Sequence, residues 1–171
     1  MSFSNSLEKQ LEEFRENYYQ NHQKKTFFKE SQKNDCAEKL TQQFSLMHLL
    51  EQSIYTNKHV IFFNYPLIKT FMHPGIYSNI LSYIDNMIEQ LLQVYNVIDI
   101  HVDMDTFTMT AAQRYNELIK TFCSKYLQNE ERIKQFKTIY IQNSPSVIEV
   151  IRKMFSPFMA SSARDKLVFL K

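Results

Sequence analysis

Asp103 and Asp105 stand two residues apart at the end of a β-branched run, and paired carboxylates are the first place to look for chemistry. A pair at a strand end can hold Mg²⁺ or take part in phosphotransfer. Phosphotransfer with the first Asp as nucleophile needs a Thr two residues beyond the second. Phe107 occupies that place. The plainer reading is that both carboxylates cap a loop or face solvent. His22, His48, His59, His73 and His101 show no metal spacing such as H-x-x-x-H. His101 alternates with apolar neighbours, as a structural histidine on a strand does. Cys36 and Cys123 are the only cysteines, too few for a disulfide framework or a zinc site. Neither Cys123 nor Ser144 lies in a nucleophile motif. The single glycine, Gly75, cannot build a phosphate loop or a dinucleotide turn. The sequence therefore predicts no enzyme, no metal and no cofactor.

The chain has 171 residues, 44% hydrophobic and 14% aromatic, enough for one domain with its own core. With 20 basic and 18 acidic residues the net charge is +2, which gives no general pull toward nucleic acid. One Gly and four Pro argue against repeats and long flexible linkers. The N-terminal MSFSNSLEKQLEE lacks the apolar run of a secretory leader, so a reducing, cytoplasmic setting is expected. No stretch approaches the roughly 18 apolar residues of a spanning helix, so any membrane contact is expected to be peripheral.

Phe3, Leu7, Leu11, Phe14 and Tyr18 recur at helical spacing, predicting a helix over 4–20. The polar stretch 21–35 reads as a loop, and a second helix is expected over 35–55. Within that loop, Lys24-Lys-Thr-Phe-Phe-Lys29 mixes basic and aromatic residues in a way that suits anionic lipid or nucleic acid, although a solvated loop is the simpler reading. The pattern then changes. The runs 59–63, 97–103, 138–142 and 167–170 read as strands. Between them lie helical stripes. Pro74 opens one that carries Ile76, Ile80, Ile84, Met87, Ile88, Leu91 and Tyr95. Another spans 110–127. In the third, Ser144 is the expected N-cap and Pro145 the expected first residue. The order β-α-β-α-β-α-β predicts an α/β fold with a mainly parallel sheet flanked by helices, following a helical N-terminal region over 1–57.

The second half, 58–171, resembles the CRAL-TRIO lipid-binding domains of phosphatidylinositol-transfer type. The resemblance rests on IHVDMDTFTM, KTIYIQNSP, RKMFSPFM and DKLVFL in that order. Asn143-Ser-Pro145 matches the family's Asn-Ala-Pro turn, Pro157-Phe-Met159 its Pro-Phe-Leu element, and Lys166 its following lysine. The family continues past its fourth strand, so a domain ending at Lys171 is expected to be a C-terminally short member.

The resemblance implies a non-catalytic module holding a phospholipid or other hydrophobic molecule between the sheet and a movable helix, here 146–159. Met154, Phe155, Phe158 and Met159 are then the expected pocket wall, and Lys166 the expected headgroup contact. The same apolar stripe also fits ordinary core. The implied partners are the hydrophobic ligand and a transient membrane surface, without nucleic acid. The alternative is a protein-interaction scaffold with a degenerate pocket, binding a partner chain or a second copy.

Overall fold

The computed structural model describes residues 2–170, with side chains described from Ser6 onward, so Phe3 lies outside the described side chains. Helix α1 spans Ser2–Asn21 and buries Leu7, Leu11 and Tyr18, the face its spacing predicts. Helix α2 spans Lys29–Gln43, six residues earlier than expected. Its buried stripe is only Gln32, Cys36, Ala37 and Leu40, and so narrow a stripe inside a polar segment reads as loop. Phe44 ends α2, and Ser45 caps α3 (Leu46–Ser53) by accepting from the His48 amide. The single helix expected over 35–55 is thus two helices and part of a strand.

That strand is β1 (Ile54–Asn57), which pairs antiparallel with β2 (Val60–Asn64) through a two-residue turn. Lys58 enters that turn at φ 53°, a left-handed conformation that is uncommon for a side-chain-bearing residue. The hairpin crosses the expected 57/58 boundary, and the core joins Leu7, Leu11 and Leu40 continuously to the second half.

Pro66 lies in the first turn of α4 (Tyr65–Phe71), where its missing N–H is not needed. Asn64 caps α4 by accepting from the Leu67 amide at 3.2 Å. A 3₁₀ turn, Pro74–Ile76, leads into α5 (Tyr77–Leu92), which buries Ile80, Ile84 and Ile88. Strand β3 is Ile98–Asp103. The helix expected over 110–127 is broken into α6 (Met109–Arg114), α7 (Asn116–Phe122) and a π turn, Cys123–Leu127. A short α8 (Glu130–Lys134), capped by Asn129, precedes β4 (Phe136–Gln142).

Ser144 does not cap the next helix. Asn143 takes φ 51°, the chain turns through Pro145, and α9 begins only at Ile148 and ends at Phe155. The expected gate over 146–159 is therefore α9 plus a 3₁₀ turn, Ser156–Phe158. Helix α10 (Ser161–Arg164) and β5 (Leu167–Phe169) close the chain.

Among the described residues the sheet has five strands in the order β1-β2-β3-β4-β5, with β2 to β5 parallel. The fold is α/β with a mainly parallel sheet, as the alternation predicts. Because space order equals chain order, every parallel crossover steps the same way. Residues from α4, α5, α7 and α9 meet the same alternate strand residues, among them Phe63, Val102, Ile141 and Phe169. The helices therefore share one face. The opposite face carries Tyr55, Phe62, His101, Tyr140 and Val168 in register across all five strands, and none of them is buried.

The π turn is pinned to α5 by Asp85. The Tyr126 hydroxyl donates to Asp85 Oδ1 at 2.5 Å, and Lys125 pairs with the other oxygen. Partial burial opposes ionisation of Asp85, but the Lys125 and Tyr126 hydrogen bonds outweigh it and hold the carboxyl below its ordinary 3.8. A depressed carboxyl pKa stabilises the fold above the unfolded-state value and loses that contribution as pH falls through the folded-state value. Asp85→Asn should therefore have a lower urea midpoint than the parent at pH 7. The gap should close as pH falls below about 3.8.

Candidate functional site

Strand alternation puts Ile61, Ile100, Ile139 and Leu167 in one row of the covered face, and Phe63, Val102, Ile141 and Phe169 in the next. Isoleucine and valine suit a strand buried on this face, since their branched side chains pack on the pleat. Over these rows lie Ile80 and Ile84 of α5, Leu118 and Phe122 of α7, and Ile148, Ile151 and Phe155 of α9. They do not close completely. A cavity of about 280 Å³ stays between sheet and helices. Cavities of about 150 Å³ with apolar walls already accept benzene, and ligand pockets begin near 300 Å³. The volume suits one hydrocarbon chain or one small rigid apolar molecule. Both chains of a phospholipid would not fit without movement of a wall.

The lining is apolar almost throughout. Tyr65, Tyr115, Cys123 and Arg152 are its lining residues that carry a polar group, and they meet the cavity almost wholly through carbon and sulfur. Burial pushes the Cys123 thiol up to about 12, so at neutral pH it is an uncharged, weakly nucleophilic wall group. Burial likewise raises the Tyr65 and Tyr115 phenols, keeping them protonated. Arg152 is the one charged lining residue among those described. It lies on α9 and pairs with Glu149 one turn away at 2.8 Å. Acid–base or nucleophilic work needs a polarised group beside a base. Among the described residues no carboxylate or histidine lines this cavity to supply one.

Of the expected wall residues, Phe155 and Met159 line the cavity. Met154 and Phe158 do not. They are half-buried on the rim of the core, with the Lys120 ammonium 5.3 Å from the Phe158 ring centroid. Lys166, the expected headgroup contact, is also absent from the lining. Its ammonium donates to the Ile133 carbonyl at 3.0 Å and to the Phe136 carbonyl, tying the end of α8 to the start of β4. That position serves the fold and places no cation at the cavity.

Arg152, Ile148 and Ile151 fall within the expected gate, Ile148 and Ile151 on its apolar stripe, but none is among the expected wall residues. The apolar residues had a signal in their helical spacing. Spacing cannot separate a side chain that meets a neighbour from one that meets a void.

The other chemistry-bearing residues are engaged locally. Asp103 Oδ1 accepts from the Asp105 amide and the Asn143 side-chain amide, both at 2.9 Å, so it joins two loops at the strand ends. Asp99 accepts from the Thr138 amide at 3.0 Å and lies 3.2 Å from His59. His101 stacks obliquely between Phe62 and Tyr140, at 5.1 and 4.5 Å between centroids. Among the described residues no three His, Cys, Asp or Glu side chains cluster as a metal site would need. No protein-family model and no curated protein matches the chain.

Proposed function

We propose that the protein is a non-catalytic binding or transfer module for a single-chain hydrophobic ligand, held between the sheet and α9. The observation that carries this reading is the apolar cavity of about 280 Å³. A cavity of this kind costs stability unless something fills it. Each methylene moved into it gains about 0.8 kcal/mol, so ten would gain about 8 kcal/mol before the entropy of association is subtracted. Arg152 could turn from Glu149 toward a carboxylate or phosphate at the end of such a chain. Helix α9 is the part of the cover suited to opening. It is eight residues long, and its closest backbone packing is with the 3₁₀ turn that follows it. A helix such as α9 over a mainly parallel sheet is what the CRAL-TRIO resemblance of 58–171 implies for the movable cover.

A module of this kind loads at a membrane. Among the described residues no helix is long and apolar enough to cross one, but the α1–α2 loop is built to touch one. Phe27 is 93% exposed and Phe28 66%, and Lys24, Lys25 and Lys29 flank them. Bare phenylalanines among lysines fit an anionic bilayer, where the rings gain burial and the ammoniums meet phosphate.

The open sheet face favours a second reading, a scaffold that binds a second copy. Tyr55 stacks on Phe62 at 5.3 Å, and the row continues through His101 and Tyr140 to Val168. An isologous contact through this face would cover it.

Three measurements test these readings. A fluorescent fatty acid titrated into the purified chain should saturate at one per protein, and Ile148→Trp should abolish uptake with an unchanged circular-dichroism spectrum. Absence of binding, or full binding by that variant, would remove the carrier reading. Phe27→Ser/Phe28→Ser should cut co-sedimentation with phosphatidylserine vesicles about tenfold or more, and an unchanged bound fraction would show that the loop does not insert. In sedimentation equilibrium, a dimer that Tyr140→Lys dissociates would favour the scaffold reading, whereas a monomer at tens of micromolar would end it.

A further inference from the structure

Outside the carboxyl ends of β2 and β3, α1, α2, α4, α6 and the β3–α6 loop enclose a second cleft of about 230 Å³. Four cations from four helices line the cleft: Arg15, Lys33, Lys69 and Arg114. Among the described residues no carboxylate lines it. Two carboxylates stand nearby. Glu30 binds Arg114 at 2.8 Å and lies 3.7 Å from Lys33. Asp105 acts on Lys69 from a distance.

Among the described residues, Arg15 and Lys69 form no ion pair. Lys69 donates only to the Thr106 hydroxyl, at 2.6 Å. It is half-buried, and burial, together with the like charge of Arg15, lowers its pKa. Arg15 is exposed at the cleft and Lys69 half-buried in its wall, so their like charges repel and an anion between them would relieve that repulsion. Thr108 adds a polar group of the right kind. Its hydroxyl oxygen accepts from the Ala111 amide at 3.1 Å, which leaves its own O–H free to donate.

We propose that this cleft binds a phosphate monoester. Arg15 and Lys69 are the principal contacts, Thr108 is a hydroxyl donor, and Arg114 and Lys33 supply surrounding positive charge. A dianionic monoester matches two unpaired cations better than a carboxylate or a phosphodiester does. Guanidinium forks and ammonium groups are the usual phosphate partners. Tyr65, Met72 and Tyr115 line both this cleft and the apolar cavity. The phosphate can thus belong to a soluble ester, or to a lipid headgroup whose chain lies beyond that shared wall. The inference stands on the cleft alone and survives if the cavity proves to hold nothing.

The test is calorimetric titration of the full chain with inorganic phosphate in chloride buffer. Beside it runs co-sedimentation with phosphatidylcholine vesicles containing either phosphatidic acid, a monoester, or phosphatidylserine at equal net charge. Saturable 1:1 phosphate binding, or a clear preference for phosphatidic acid, is the expected result. Phosphate binding without vesicle preference assigns the site to soluble esters, and vesicle preference assigns it to a headgroup. Arg15→Met and Lys69→Met should each weaken binding about tenfold, while Lys134→Met, an exposed lysine paired with Glu131 at 2.7 Å, should not. Phosphate should raise the melting temperature of the parent and leave that of Arg15→Met/Lys69→Met unmoved. Because that double variant relieves a repulsion, it should fold at least as stably as the parent. Binding of neither probe, or undiminished binding by the double variant, overturns the proposal.

Discussion

The direction of the crossovers constrains everything else in this molecule. Strands β2 to β5 lie side by side in chain order, so each connection steps the same way across the sheet. Parallel crossovers are right-handed with few exceptions. Identical steps of one hand return each helix to the same face. One face of the sheet is consequently buried under helices and the other is left to solvent. The covered face holds the isoleucine and valine rows that line the cavity. The open face holds the row from Tyr55 through Phe62, His101 and Tyr140.

The cavity follows from that layering together with broken helices. A single straight helix over 110–127 could lay one continuous ridge along the sheet. Instead the chain kinks between α6 and α7 and widens into the π turn at Cys123–Leu127. Asp85 holds that turn by its contacts with Tyr126 and Lys125. Helix α9 is short and starts late, because the chain first turns through Asn143 and Pro145. A cover made of short, separately anchored pieces leaves space that a well-packed interior lacks.

The N-terminal helices contribute more than a lid on α4. Tyr18 donates to Asp35 at 2.5 Å and joins α1 to α2, while Glu30 of α2 reaches Arg114 of α6. These contacts bring Arg15 and Lys33 to the same cleft as Lys69, residues well separated along the chain. The basic cleft therefore belongs to neither half alone.

The sequence by itself determined the α/β class and the four strands that lie parallel, because short runs of branched apolar residues alternate in it with helical stripes. It also placed Phe155 and Met159 on an inward stripe, because helical spacing fixes which side chains share a face. Only the tertiary structure decided what those faces meet. Lys166 looked like a ligand contact by position in a motif, but two backbone carbonyls hold its ammonium. Met154 and Phe158 belong to the same apolar segment as Phe155, yet they pack at the rim. Strand β1 is only four residues long and was absorbed into the helix expected over 35–55, and the first turns of α2 were missed because Lys29–Asn34 is polar throughout and its one buried residue is Gln32. Arg152 and the four cleft cations carry no local signal at all. A charge acquires a role from what surrounds it in space, and spacing along the chain records only the face of its own helix or strand.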